Sequence, residues 1–220
     1  TEGPAPDPAI TATAWIWSPQ DSVKRWQRTE YFVDKTLEFM ERNRDRAFFV
    51  NLWPDDMHTP YVPDAIVQAQ NSTWSTPRNF KAVLKEYDTQ IGRLLNGMKR
   101  LGLDKNTIII FTSDNGPMPY YEQQRTNGLR SMKCSLYEGG IRMPFIISWP
   151  EHIPAGKVDY KSVVCSVDIY PSLCALTGVK MPENVAFSGE DMSQVFLGKA
   201  QERTTDLMWE FGRNDFFYRP

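Results

Sequence analysis

Apolar residues in this chain follow two rhythms, one helical and one continuous, and the predicted elements follow from them. Phe80, Val83, Leu84, Tyr87, Ile91, Leu94, Leu95, Met98 and Leu101 recur at helical spacing, the stripe of an amphipathic helix. Ser75-Thr76-Pro77 supplies its start signal and Gly102 its stop. A second helix is expected after Asp21-Ser22, on Val23, Trp26, Val33, Leu37 and Met40, ending in the charged stretch 41–46, a solvated turn. Three runs, 47–53, 107–112 and 144–149, are apolar without alternation, as expected of strands buried on both faces. Residues 163–167 read as a short strand, and Asp168 starts a helix through Leu173 and Leu176 to Gly178. Residues 191–197 read as a short helix, and 207–211 as the start of a strand. Helix followed by buried strand, twice over, is the alternation of an α/β fold with a mainly parallel sheet flanked by helices.

Two of these strands empty into polar residues. The strand at 107–112 leads into Ser113-Asp114-Asn115-Gly116, and 47–53 leads into a stretch holding Asp55, Asp56, His58 and Thr59. Ligands of open α/β sheets bind outside the carboxyl ends of the strands. Asp-Asn-Gly is equally good turn chemistry, so the first stretch alone leaves both readings open. The loop 116–140 has no packing pattern and is too long for a simple connector, which points to a functional loop.

Composition narrows the class. The chain has 220 residues, 41% of them hydrophobic, with 7 Trp and 12 Phe, enough for a core in one large domain or one and a half small ones. Its formal charge of −2 gives no electrostatic reason to expect nucleic acid. No apolar run is long enough to span a membrane. Cys134, Cys165 and Cys174 lack the spacing of a zinc site or a disulfide framework. Residues 1–20 are Pro-rich and read as a connecting segment; with neither an initial Met nor a leader pattern, the chain reads as cut from something longer.

Candidate chemistry rests on few residues. His58, directly after a strand, could serve as a general acid or contact an anion, although a loop histidine without a role is the more common case. His152 sits in a Pro/Gly turn and is read as having no role. Asp114 and Asn115 are hard oxygen donors suited to Ca²⁺ or Mg²⁺ rather than zinc. Two donors fall short of the about six to eight oxygens that calcium takes. Lys133 could pair with a substrate anion, yet alone it reads as a solvated surface charge.

In order, these pieces resemble the sulfatase family of the alkaline-phosphatase superfamily. The resemblance is carried by Ser113-Asp114-Asn115-Gly116 and by Gly128-Leu-Arg-Ser-Met-Lys133 running through Tyr137-Glu-Gly-Gly-Ile-Arg142 to Trp149-Pro150. His58-Thr-Pro60 and the Ser166-Val-Asp-Ile-Tyr-Pro-Ser-Leu173 helix start add to it, and it spans roughly residues 28–212. It implies an alkaline-phosphatase-like α/β fold and hydrolysis of sulfate esters, of aryl alcohols or carbohydrates, to alcohol and inorganic sulfate. It further implies that Asp114 and Asn115 are two ligands of an active-site calcium, that His58 protonates the leaving oxygen, and that Lys133 binds a sulfate oxygen. Asp168 and Arg142 are implied as structural groups.

The departures are equally specific. The family's nucleophile is a formylglycine made from a Cys or Ser in a Cys/Ser-x-Pro-x-Arg motif, and no cysteine here fits it. Ser75-Thr-Pro-Arg78 places its arginine one position too early. The family's paired N-terminal aspartates also lack a match, since Asp55-Asp56 falls in the wrong order. The expectation is a fragment: 21–200 as part of the catalytic domain and 201–220 as the start of a small C-terminal sheet. Its formylglycine and remaining calcium ligands would lie outside the sequence, leaving it inactive alone. Uncovered sheet would favour self-association. Two alternatives are a phosphodiesterase or phosphonate hydrolase of the same superfamily, which the scarcity of histidine disfavours, and a non-catalytic sulfatase-like binding protein. The family resemblance places such a protein in a periplasm, outside the cell or in a lysosome. A sulfated carbohydrate is the favoured substrate, with aromatic residues of 61–78 and 212–220 offering stacking surfaces.

Overall fold

The computed structural model describes residues 23, 25–64, 76–119, 121 and 124–211. The chain divides into two units, residues 1–104 with 120–122 and residues 105–119 with 123–220. In the first, Val33 and Met40 carry the buried stripe of α1 (Arg28–Arg42). The expected capping residues Asp21 and Ser22 lie outside the described residues. The helix begins later than the sequence suggests, after a 3-10 turn at Arg25–Gln27. Its N-cap position, Gln27, gives no side-chain cap. Instead Arg28 donates to the carboxylate of Asp55 and the Thr29 hydroxyl to that of Asp56. Anionic groups are thereby tethered where the helix dipole is positive.

The second helix, α2 (Pro77–Arg100), starts and stops as its signals predict. Thr76 Oγ1 accepts from the Asn79 N–H at 3.2 Å and Pro77 fills the first turn, where its missing N–H costs nothing. At the other end Gly102 adopts φ 73°. Its N–H donates to Lys99 O at 3.1 Å, and the Leu103 N–H donates to Met98 O at 2.9 Å. That pair of bonds satisfies the last carbonyls in a Schellman motif. The helix buries Val83 and Met98 together with Asn79 and Gln90, whereas Leu84 and Leu95 of the predicted stripe are 42% and 44% exposed. α1 packs on α2. The methyls of Leu37 occupy the space that a side chain on Gly97 would need, and Arg93 crosses from α2 to Asp34 of α1.

Residues 47–53 do not form the expected buried strand. They join no ladder among the described residues and leave Phe49 and Trp53 at 71% and 77% exposure. A run of β-formers becomes a sheet strand when its N–H and C=O groups find a neighbouring strand, and no described residue supplies one.

In the second unit, β1 (Ile109–Thr112) is followed by the long loop and the short helix α3 (Glu138–Ile141), and pairs with β2 (Phe145–Ser148). The register runs from Ile109 opposite Ser148 to Thr112 opposite Phe145, antiparallel. The expectation of a mainly parallel sheet is therefore not met by this pair. A parallel neighbour needs a crossover of a dozen or more residues that returns the chain to its starting edge, usually through a helix packed on the sheet, and α3 has 4 residues. Nor is the pair buried on both faces. Phe145 lies 5.4 Å from Phe196, ring centre to ring centre, while Ile146 on the opposite face is 60% exposed.

Residues 163–165 form no strand; a 3-10 turn at Ser166–Asp168 leads into α4 (Ile169–Thr177), which ends at Gly178 with φ 71°. The expected short helix is α5 (Ser193–Phe196). Residues 207–211 show a single bridge residue, Phe211, in place of a strand. Asp168 ties these pieces together. Fully buried, its carboxylate accepts from the N–H groups of Cys165 at 2.7 Å and Glu190 at 3.0 Å. It also accepts both arms of Arg203, at 2.5 and 2.9 Å. Arg203 lies against Glu190 as well, at 3.4 Å. This bears on stability directly. Asp168→Ala strands a buried guanidinium and is expected to lower the unfolding free energy by about 3–5 kcal/mol, read by urea titration. Replacing Arg203 by Met in the same chain is expected to recover part of that loss.

Candidate functional site

The end of β1 delivers Asp114, exposed, and Asn115, half-buried. Ser113 Oγ donates to the Asn115 carbonyl at 3.1 Å, which fixes the turn that carries both. Beyond it, the loop that holds Lys133 packs on this turn backbone to backbone. The Gly116 N–H donates to Gly140 O at 2.9 Å and the Lys133 N–H to Pro117 O at 3.0 Å. The Gly139 N–H closes the loop's base on Arg130 O at 2.8 Å. Glycine is required at each crossing. A side chain on Gly116 would run into the Gly139 carbonyl, on Gly139 into the carbonyls of Ser131 and Arg130, and on Gly140 into that of Ser135.

Near the tip of this loop Ser131 and Cys134 adopt left-handed backbone, φ 64° and 67°. Such conformations are costly for residues with a side chain and concentrate where geometry serves function. Arg130 lies over the ring of Tyr137 at 3.7 Å, a cation–π contact across the loop's base. Asp114, Asn115 and Lys133 are therefore carried on one turn and loop that are clasped backbone to backbone.

His58 belongs to the other unit. Its Nδ1 lies 2.7 Å from Thr59 O, so Nδ1 is the donor and the basic lone pair of the neutral ring is on Nε2. Its N–H donates to Asp55 O at 3.0 Å, and its own carbonyl accepts from Arg25 at 2.8 Å. Burial holds the guanidinium pKa values of Arg25 and Arg28 below the ordinary arginine value, against the pull of Asp55. Burial likewise pushes the Asp56 carboxyl up, although the Thr29 hydroxyl opposes it. Asp55 and Asp56, whose order in the chain did not suit a metal site, are thus the partners of two buried arginines and a threonine. The sequence signal for this was present in Arg25 and Arg28, one helical turn apart and directly ahead of the α1 stripe.

The oxygen donors at Asp114 and Asn115 fit a hard divalent cation in kind. They do not complete its shell: among the described residues no group of three or more His, Cys, Asp or Glu side chains gathers to hold a metal. His152 is exposed and its ring lies against that of Trp149, centres 3.7 Å apart and planes tilted by 38°. All three cysteines are free thiols. No helix among the described residues is long and apolar enough to cross a membrane.

The Sulfatase family model matches residues 9–179. An N-acetylgalactosamine-6-O-sulfatase of Bacteroides thetaiotaomicron is 30% identical over 195 residues, 84% of this chain and 36% of that protein. Arylsulfatase A of Homo sapiens is 34% identical over 170 residues, 76% of this chain and 32% of that protein. A solved structure from the metabolism of multiple glycosaminoglycans by Bacteroides thetaiotaomicron aligns with a TM-score of 0.66 and 30% identity, covering 80% of this chain and 38% of that one. The chain spans about a third of the length of the curated relatives it matches.

The glycine crossings can be tested by contrast. Gly139→Ala is expected to destabilise the protein by about 1–3 kcal/mol and to speed amide exchange across residues 128–140, where the Lys133 N–H is otherwise protected. Gly92→Ala, on α2 with nothing within 4 Å of the added carbon, is expected to stabilise by about 0.5–1 kcal/mol and to leave that exchange unchanged. Equal exchange in the two variants would remove the clasp from the account.

Proposed function

This chain belongs to the sulfatase family, and from that premise we propose that it forms part of a sulfate-ester hydrolase site. The observation that carries the reading is the glycine-clasped loop, which holds Lys133 by a 3.0 Å backbone bond to the turn of Asp114 and Asn115. Asp114 and Asn115 supply two oxygens to a calcium ion, and Lys133 binds a sulfate oxygen. A bound hard cation supplies charge neutralisation at the sulfate oxygens. His58, its Nδ1–H held by Thr59 O, gives the leaving alcohol oxygen the Nε2 proton of its imidazolium and is left as the neutral ring. A sulfate monoester places most of its charge on non-bridging oxygens and develops charge on the bridging one. A cation for the former and a proton donor for the latter are the two groups its cleavage calls for.

The sequence holds no Cys/Ser-x-Pro-x-Arg motif, so no nucleophilic step is assigned to these residues, and the chain by itself is expected to bind rather than turn over. The N-acetylgalactosamine-6-O-sulfatase relative supports a sulfated sugar as the substrate. The family reading also carries the compartment, a periplasm, the cell exterior or a lysosome. Self-association follows from the exposed apolar residues of the first unit, Phe49 and Trp53.

Calorimetry tests the site. N-acetylgalactosamine 6-sulfate is expected to bind in millimolar calcium, to lose at least tenfold in affinity on Lys133→Ala, and to lose binding with EGTA or on Asp114→Ala/Asn115→Ala. Equal affinity for the unsulfated sugar, or binding indifferent to calcium, would overturn the assignment. Sedimentation tests the surface: the weight-average mass is expected to rise with concentration in the wild type and to stay monomeric for Trp53→Glu.

A further inference from the structure

We propose that Arg25 is a positioning residue for His58, setting the tautomer of its imidazole through the backbone of the turn that carries it. The proposal rests on the reading of His58 as the proton donor, and its experiment reads the ring itself. Arg25 is 2% exposed, and a guanidinium so buried persists when hydrogen bonds replace its lost water. One arm, Nη2, donates to two carbonyls of a single turn, Asp55 O at 3.1 Å and His58 O at 2.8 Å. The other, Nη1, stands 3.4 Å from the Asp55 carboxylate. The turn is closed independently by the His58 N–H to Asp55 O bond at 3.0 Å.

The consequence passes along the chain by covalent geometry. Holding the His58 carbonyl fixes the plane of the peptide it shares with Thr59. That plane anchors the amino side of Thr59, leaving only the φ and ψ of one residue between the held peptide and the Thr59 carbonyl. The Thr59 oxygen is the atom 2.7 Å from His58 Nδ1, and a carbonyl can only accept, so it keeps the proton on Nδ1 and basicity on Nε2. Arg28 and Thr29 anchor the same turn by its carboxylates, Asp55 and Asp56, whereas Arg25 engages the carbonyl of His58 itself. A lysine could not replace it, since a single ammonium lacks the planar fork that spans two carbonyls and a carboxylate.

The test is ¹⁵N NMR of the full chain labelled at histidine. It has 2 histidines, and His152→Gln identifies the remaining signal as His58. The expected wild-type signature at high pH is the Nδ1–H form. Arg25→Lys and Arg25→Gln are expected to lose it to a mixture dominated by Nε2–H, with helical circular dichroism retained. Thr29→Val, which removes an anchor of Asp56 and leaves both carbonyl bonds, is expected to keep the Nδ1–H form. The proposal is overturned by a wild-type Nε2–H ring, by either folded Arg25 variant keeping the wild-type signature, or by Thr29→Val losing it. Failure of sulfated-sugar binding in the wild type would remove the function assigned to His58 and leave this result standing.

Discussion

Backbone packed directly on backbone is the constraint on which the candidate site depends. Where Gly116, Gly139 and Gly140 meet their neighbours, carbonyl oxygens occupy the space of the absent side chains. Rotamer changes cannot relieve such a contact, because the atoms in the way belong to the main chain. Side chains of Asp114, Asn115 and Lys133 are flexible in themselves, but the segments that carry them are not free to slide. Two backbone hydrogen bonds (Gly116 to Gly140, Lys133 to Pro117) then fix the register of loop on turn, and two more (Gly139 to Arg130, Gly140 to Tyr137) fold the loop on itself. Precision at a polar site thus comes from the least polar and smallest residue type.

Each unit also buries an arginine, and the two illustrate how a buried charge is settled. The Arg203 pKa is raised, because the two-armed bond to Asp168 outweighs the desolvation that opposes it. The Arg25 pKa is lowered, because desolvation outweighs the attraction of Asp55. The difference lies in what the arms reach. Arg203 meets Asp168 through two parallel bonds and has Glu190 beside it, so charge faces charge. Arg25 gives one arm to neutral carbonyls and shares the Asp55 carboxylate with Arg28. The first arrangement is a structural lock. The second spends cationic donors on backbone position, a costly use of a guanidinium unless the position matters.

What was legible in the sequence was what local chemistry decides. Thr76-Pro77 and Gly102 bounded α2 because capping and the left-handed C′ position are settled within one helical turn. Gly178 bounded the end of α4 for the same reason, whereas Asp168 at its start gives α4 no side-chain cap. Strands were less legible because apolar composition states that a segment seeks partners without saying where they are. Residues 47–53 and 144–149 look alike as strings, yet residues 145–148 of the second found β1 while the first joins no ladder among the described residues. Asp114, Asn115 and Lys133 were singled out through family resemblance, and the backbone clasp that joins their segments runs through three glycines of the same motifs. Arg203 was missed because its partner lies 35 residues away, and Arg25 because its spacing from Arg28 hints at a shared helix face without naming partners 30 residues on.

The antiparallel pair gives this arrangement a direction. β1 ends at Thr112 and β2 begins at Phe145, and these two residues are register partners. The whole loop between them therefore leaves and returns at one end of the ladder, the carboxyl end of β1. A parallel neighbour would have sent the chain back to the opposite end before its next strand and left the loop with two distant anchors. Here both anchors are adjacent, so a long loop can be folded on itself by a handful of glycine contacts without a core of its own. That is the physical reason Asp114, Asn115 and Lys133 can be held together in a segment whose side chains show no packing pattern. In such a segment the sequence reading found motif without periodicity, and the structure shows why: the order is in the main chain.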